Sequence, residues 1–525
     1  MTTSQMVPNL APAKAGRPDI RALVAVAAVM FGTFTAILNS RLTDIGLTDL
    51  RGALGLGYDE ASWITTAYVV AEVAAIPATV WLRMVLSPAP GVMIGAALFS
   101  VLSLLAPFSP SLAVLLAVQA LRGLSAGILI PMTYGVVMRY IPQSQRLYAL
   151  SIYALISGFT PSLSVVTEAL VVDHLSWKYL FWLNVIPGAL AVFGAAYGIK
   201  WDPVKFMKLR RPDLFGLLSL SLGLAALVTA LDQGNRLDWL NSGLIVGLLL
   251  AAAVLLVAYL VHSFIHPQPM VSPRLLAQRN AGLALSVLFL SRFATMSAAF
   301  VIPQFLIRTQ GYRALETGQY FVAAGLPQLA LAPFVAWLCY RFDPRDLVAF
   351  GAILFSIGVM WSTGLTSAWT GDQFMGPMLL QTIAGPFLAV PVMVVVSEDI
   401  TFAQIPWIAT WVHIIRTVGT AIATASIGTF IRVREAVHSN LIGLHVQTGD
   451  LDVQARLDAI GTALRSGLRT TDESAPALGV LARTVQKEAY VLAYADAQFV
   501  IFLVVLCIAV AALLMRRTPL PGRFL

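Results

Sequence analysis

Long apolar stretches follow one another along nearly the whole of this 525-residue chain, separated mostly by short polar turns. A helix rises 1.5 Å per residue, so about 20 apolar residues carry it across the ~30 Å hydrocarbon core of a bilayer. Fourteen stretches meet or approach that length, at roughly 22–48, 60–83, 90–107, 111–137, 147–171, 179–199, 214–232, 242–265, 281–307, 320–340, 347–365, 374–397, 405–430 and 494–515. Prolines interrupt several of them, as at Pro327, Pro386 and Pro391; membrane helices tolerate this where neighbours re-satisfy the backbone. Composition agrees: 58% of residues are hydrophobic and 11% charged, against about 25% charged in a soluble domain. The pattern predicts an all-α polytopic membrane protein embedded in a lipid bilayer.

Basic residues set the expected orientation. Lys14, Arg17 and Arg21 precede the first run, which is too long for a cleaved signal peptide and reads as a retained span. With the N-terminus inside, eighteen Lys and Arg fall in cytoplasmic segments and five in short outer loops, the asymmetry of positive-inside topology. An even number of spans then keeps the basic C-terminus inside as well. The net charge of +8 resides in these loops and does not point to nucleic acid. Cys339 and Cys507 lie in apolar runs, so no disulfide framework is expected. The expected outer segment 431–488 is long and charge-balanced, with seven basic and seven acidic residues. Helical periodicity in Leu451–Ile460 and Ala477–Val485 reads as a solvated helical hairpin or as a docking surface for another envelope protein.

Arg41, Asp44, Glu72 and Arg122 stand inside predicted spans. A charge at the bilayer centre costs at least about 2.5–3.5 kcal/mol, so it needs a partner, a water-filled cavity or a function. Four in the first third of the chain point to a polar pathway, the core of a transporter. Arg41 and Asp44, three residues apart, share a helix face. They read as a self-neutralised pair facing a central cavity, or Arg41 reads as a ligand for an anionic substrate group. Glu72 is the leading proton-carrier candidate, since a carboxylate exposed alternately to two environments can take up and release a proton; a structural hydrogen bond is the alternative. Arg292 lies mid-span, as does Arg416, with His413 one turn before it. His413 titrates in a useful range, although a lone helical histidine also serves as a structural group. No Walker A motif and no metal-ligand cluster is seen, so neither a cofactor, a metal nor an enzymatic activity is expected.

Several segments carry a resemblance. Span two reads Trp63-Ile-Thr-Thr-Ala-Tyr68-Val-Val-Ala-Glu72, continuing to Pro77 and Trp81. Span four contains Leu121-Arg122-Gly123 and Gly127 with Pro131, and span six is entered by Trp177-Lys-Tyr-Leu-Phe181-Trp-Leu-Asn184. Asp232 to Trp239, Ile302-Pro303-Gln304 with Gly311-Tyr312, Arg416-Thr417-Val-Gly419-Thr420 and Arg434-Glu435-Ala-Val-His438 follow in order. In this order and spacing the chain resembles the fourteen-span drug:proton antiporters of the major facilitator superfamily, the EmrB/QacA type.

The resemblance implies a major facilitator fold: two six-helix bundles, 22–199 and 266–515, with two extra transmembrane helices at 214–265 between them. A cytoplasmic N-terminus (1–21), a basic cytoplasmic linker (200–213), a periplasmic loop (431–490) and a cytoplasmic C-terminus (516–525) complete the expected layout. The resemblance makes Arg122 the motif B arginine, which bears on proton transfer near the first helix; with neutral Asn39 opposite, its expected carboxylate partner is Glu72 or Asp44, and Arg122, Glu72 and Asp44 are the candidates for proton coupling. Asn39, Arg292 and Gln304 join Arg41 as candidate substrate contacts. Departures are visible too. The first helix reads Leu38-Asn39-Ser-Arg41-Leu-Thr-Asp44 where the family has an acid at the position of Asn39. Asp44, five residues on, is about 140° round the helix and about 7.5 Å along it, so it cannot stand in for that acid. The loop after span two lacks the family's glycines and acid, and Glu168 replaces a motif C glycine. Glu168 then reads as an outer proton entry point or an interfacial residue. These departures bear on coupling and gating, not on the fold.

Summed over the spans, Arg41, Arg122, Arg292 and Arg416 oppose Asp44, Glu72 and Glu168, which favours organic anions or weak acids. The expected function is proton-coupled export of hydrophobic weak acids or amphipathic drugs across a bacterial inner membrane. The resemblance adds a periplasmic adaptor and an outer-membrane channel as partners. An uncoupled or anion-exchanging transporter of one metabolite is the second reading, and a non-transporting scaffold or sensor the third.

Overall fold

The computed structural model describes residues 20–45, 47–86, 88–199, 213–267, 269–398, 404–446, 450–465 and 474–517. The expected N-terminal segment and basic linker fall almost wholly outside these, as does most of the C-terminal tail. Among the described residues every regular element is helical. Twelve helices are long and apolar enough to cross a membrane. In chain order the spans are Ile20–Ile45 (span 1), Tyr58–Ala75 with Ala78–Val85 (2), Pro88–Leu105 (3), Leu112–Tyr140 (4), Gln143–His174 (5), Tyr179–Trp182 with Val185–Gly198 (6) and Leu214–Gly234 (7). Gly243–Ile265 (8), Arg279–Met296 running on to Ile302–Gln310 (9), Ala314–Gly325 with Pro327–Leu338 (10), Pro344–Thr363 (11), Gly371–Glu398 (12), Ile405–Gly443 (13) and Ser474–Leu514 (14) follow. The helices numbered 2 and 5 stand at the two remaining expected positions but are not among those twelve, since Tyr58–Ala75 carries Asp59, Glu60 and Glu72, and Ser and Thr dilute Gln143–His174; fourteen spans are compatible with this arrangement.

Spans 1 to 6 pack on one another (1 on 6, 4 on 2 and 3), and so do spans 9 to 14 (11 on 12 and 14, 13 on 14). Spans 7 and 8 form a hairpin whose first arm touches both groups, at span 2 and at span 13. Span 8 leaves most of its surface outward, in keeping with lipid as its solvent.

Two breaks in the helices fall beside a proline, which lacks a donor. Pro77 has no N–H, and around it Ile76 N donates to Val73 O (3.2 Å) and Val80 N to Pro77 O (3.3 Å), tightening the ladder between the two halves of span 2. In span 9 a π turn, Ser297–Val301, precedes Pro303. That helix ends on Gly311, at φ +71°, the left-handed C′ position that glycine fills without strain.

One expectation from hydropathy is corrected. Spans 13 and 14 do not stop near 430 and 494. They run for 39 and 41 residues, about 58 and 62 Å, roughly twice the hydrocarbon core. Segment 431–488 is therefore not a separate hairpin. Ala477–Val485 belongs to span 14, and among the described residues of the segment only Leu451–Arg465 forms its own helix, packed on span 14. Apolar content falls at the membrane boundary, but helical character does not, which is why hydropathy marked the membrane edge rather than the helix end.

Candidate functional site

Span 4 meets span 2 through two glycines. A Cβ at Gly123 would stand 2.1 Å from the Tyr68 carbonyl oxygen, and one at Gly127 2.2 Å from that of Glu72. Small residues four apart let the two backbones touch, and this contact sets the position of Glu72. From the other helical group, span 13 brings Arg416 and His413 to the same point. Arg416 Nη2 donates to Glu72 Oε1 at 3.2 Å, and His413 Nε2 stands 3.3 Å from that oxygen. His413 Nδ1 accepts from Arg416 Nε at 3.1 Å, so the neutral ring carries its proton on Nε2, facing the carboxylate. Glu72 and His413 are 2% and 1% exposed. The triad is a buried charge pair with an imidazole wedged against it, and its two carriers belong to different groups of spans.

A cavity of about 440 Å³ opens beside it. Glu72, Arg292, His413 and Arg416 all line it, so four of the residues singled out from sequence converge. Arg292 Nη2 donates to Ser291 Oγ at 3.3 Å. Asp232, Tyr153, Gln328 and Gln381 also reach the wall. Asp232 entered the sequence reading only as part of a motif at a helix end; nothing in its local pattern marks it as facing a cavity. The three residues Ala298–Phe300 of the π turn line the cavity too, where a widened turn presents its side chains differently from a regular helix.

Other sequence-derived candidates lie elsewhere. Arg122 is 0% exposed and off the cavity wall. Among the described residues its partners do not include Glu72, one of the two carboxylates expected; the side chain of the other, Asp44, lies outside the described set. Nη2 donates to Asn39 Oδ1 (2.6 Å), Nη1 to Gln119 Oε1 (2.5 Å) and Nε to Ser103 Oγ (3.0 Å). The guanidinium lies between the Phe99 and Phe181 rings, 5.3 and 5.0 Å from their centroids, and the π faces partly offset its desolvation. Asn39 is held by Arg122 and by Asn184 Nδ2 at 3.0 Å. It therefore supports Arg122 inside the first group and does not line the cavity. Gln304, beyond the π turn, does not line it either. Arg41 and Asp44 lie on span 1 and Glu168 on span 5; their side chains are outside the described set, so the proposed Arg41–Asp44 pairing is too.

The cavity is shut at the end bearing the 140–143 turn. There Tyr134 Oη and Ser397 Oγ meet at 3.0 Å, joining spans 4 and 12. Leu147 and Ala154 of span 5 pack with Val335, Phe387, Val390 and Val394. Toward the opposite end, span 7 ties the groups together. Thr66 hydrogen-bonds Asp232 and accepts from Gln233 Nε2 (2.5 Å), while Arg236 Nη1 pairs with Asp59 (2.8 Å). Thr429 Oγ1 donates to Asn235 Oδ1 at 2.7 Å, linking span 7 to span 13.

Comparison with known proteins agrees with this architecture. The model of the Major Facilitator Superfamily matches residues 29–424. The colistin resistance protein EmrB of Acinetobacter baumannii is 25% identical over 473 residues, covering 90% of this chain and 91% of that protein. The fatty acid resistance protein FarB of Neisseria gonorrhoeae is 24% identical, over 79% of this chain and 81% of its own. In structure, the human organic anion transporter MFSD10 (TETRAN) aligns with a TM-score of 0.55 at 11% identity, over 92% of this chain and 99% of its own, a likeness of fold. The activity is transport, not catalysis. The chain belongs to the major facilitator superfamily, as a multi-pass membrane transporter of the efflux type whose sequence relatives include EmrB-type proteins.

Proposed function

We propose that this transporter exports hydrophobic weak acids or amphipathic drugs across a bacterial inner membrane in exchange for protons. Both termini are cytoplasmic in this reading, and the sealed end faces the cytoplasm. The observation that carries it is the Glu72–Arg416 pair in the cavity wall, with His413 against it. Protonating Glu72 weakens the attraction that holds span 2 to span 13, so the charge of Glu72 biases which end of the central site opens as the two groups of spans rock about it. One proton moved through about 100 mV supplies about 2.3 kcal/mol, nearly 50-fold accumulation.

Exchange requires that proton and substrate not ride together, and this constrains where a substrate can bind. The cationic end of an amphipathic drug meets the requirement by contacting Glu72 itself, in competition with the proton. An anion on Arg416 would displace Glu72 and favour its protonation, which is the linkage of cotransport. A weak-acid anion therefore takes Arg292, on the same cavity wall, and leaves the Glu72–Arg416 pair closed. The helical extensions of spans 13 and 14 would project on the periplasmic side, as a platform for a periplasmic adaptor leading to an outer-membrane channel.

Proton flux in energised inverted vesicles tests the proposal, with a panel of weak acids and lipophilic cations. Substrate-dependent loss of the gradient that vanishes in Glu72→Gln is the expected result. Movement of labelled substrate without any proton signal would instead establish the uncoupled or anion-exchanging reading, which the neutral Asn39 on Arg122 favours.

A further inference from the structure

The geometry points to a divalent transition-metal site built from Asp213, His262 and His266, where span 7 begins and span 8 ends. No metal-ligand cluster is legible in the sequence because Asp213 lies 49 residues before His262; only the one-turn spacing of the two histidines is local. The fold closes that gap by pairing spans 7 and 8. One donor atom from each of the three residues lies within 4.8 Å of the other two.

Each part of the cluster is held. Asp213 is the N-cap of span 7, its Oδ1 accepting from Gly216 N at 2.9 Å and standing 2.7 Å from His262 Nε2, and its side chain is only 5% exposed. A Cβ at Gly216 would fall 2.4 Å from Asp213 Oδ2, so any other residue there would push the carboxylate from its seat. The rings of His262 and His266 stand 5.0 Å apart at 32°, and Phe215 packs edge-on against His262. His266 follows the last helical residue, with extended backbone (φ −69°, ψ 131°), so its ring can approach without unwinding the span.

Ligand atoms of a tetrahedral ion bound at ~2.0–2.1 Å stand about 3.3 Å apart. The donors are close enough for the His266 ring and the Asp213–His262 contact to adjust to that spacing. Two imidazoles with one carboxylate suit Zn²⁺, Co²⁺ or Ni²⁺, whereas Mg²⁺ and Ca²⁺ prefer all-oxygen shells. Water would complete the coordination. A bound ion would clasp the start of span 7 to the end of span 8 and fix the inserted hairpin as one unit.

The test uses the full-length protein, purified without a polyhistidine tag, stripped with chelator and titrated with Co²⁺ and then Zn²⁺. One equivalent of Co²⁺ should bind, with a visible absorption band that Zn²⁺ abolishes. His262→Ala and His266→Ala should each weaken binding by about tenfold or more with an unchanged elution profile. His266→Ala keeps the test sound if His262→Ala misfolds, since His266 lies beyond the helix. His438→Ala, beside Asp496 in the extension of span 13, should bind as wild type does. Titration of wild type indistinguishable from that of the double His262→Ala/His266→Ala variant would overturn the site. So would binding that survives in His266→Ala and disappears in His438→Ala.

Discussion

Glu72 and Arg416 are separated by 344 residues in sequence and by 3.2 Å in space. Their contact joins the second span to the thirteenth across the cavity, so one carboxylate both faces the transport path and holds the two groups of helices together.

That double role separates two variants. Glu72→Gln removes the proton site but can still accept a hydrogen bond from Arg416, so the protein should remain folded while substrate-dependent proton flux is lost. Arg416→Ala leaves a buried carboxylate without its arginine, a change that costs about 3–5 kcal/mol in buried pairs. Thermal unfolding in detergent should rank Arg416→Ala well below Glu72→Gln, and the double variant should recover part of the loss. Single variants both as stable as the wild type would show that the pair does not hold the spans together.

Proton release or uptake on ligand addition reports where a substrate sits. In lightly buffered solution, a cationic amphipath contacting Glu72 should release protons, and a weak acid on Arg292 that favours the closed Glu72–Arg416 pair should release them too. Arg292→Gln should then weaken weak-acid binding about tenfold and spare cations. Uptake of a proton with each weak acid, absent in Glu72→Gln, would place the anion on Arg416 and rule out exchange by this route.

Gly127→Ala places a methyl group against the Glu72 carbonyl oxygen. Overpacking of this kind costs typically about 1–3 kcal/mol, and here it displaces the carboxylate's own backbone. Transport should fall although Gly127 touches no substrate. Gly443→Ala, with open space at that position, should change neither transport rate nor melting temperature.

Tyr134→Phe deletes the hydroxyl that meets Ser397 at the sealed end. A hydrogen bond contributes about 0.5–1.5 kcal/mol, so the population open at that end should rise several-fold. Spin-label distances between spans 4 and 12 measure this; an unchanged distribution would mean that the apolar seal alone keeps the end closed.

The parts of this molecule legible in its sequence are those written in one helix at a time. Fourteen apolar runs gave the helices, and charges inside them marked Glu72, Arg292 and Arg416 as interior groups. Which charge meets which is a property of helices hundreds of residues apart, and local pattern is silent on it. Arg122 illustrates the limit: its buried charge was visible, but of its shell only Gln119 is on its own helix, while Asn39 and Ser103 come from two other segments of chain. Asp232 was hidden because it lies at a helix end, where acids are common. Its place on the cavity wall follows only from span 7 standing between spans 2 and 13.

Arg416 and Gly443 belong to one helix, Ile405–Gly443, about 40 Å apart along its axis. That makes span 13 a lever arm with the ion pair near its fulcrum. A tilt of about 10° at Arg416 would sweep the far tip through about 7 Å, so under the proposed mechanism a change of charge on one buried carboxylate would become a movement several ångströms wide at the far end of the helix.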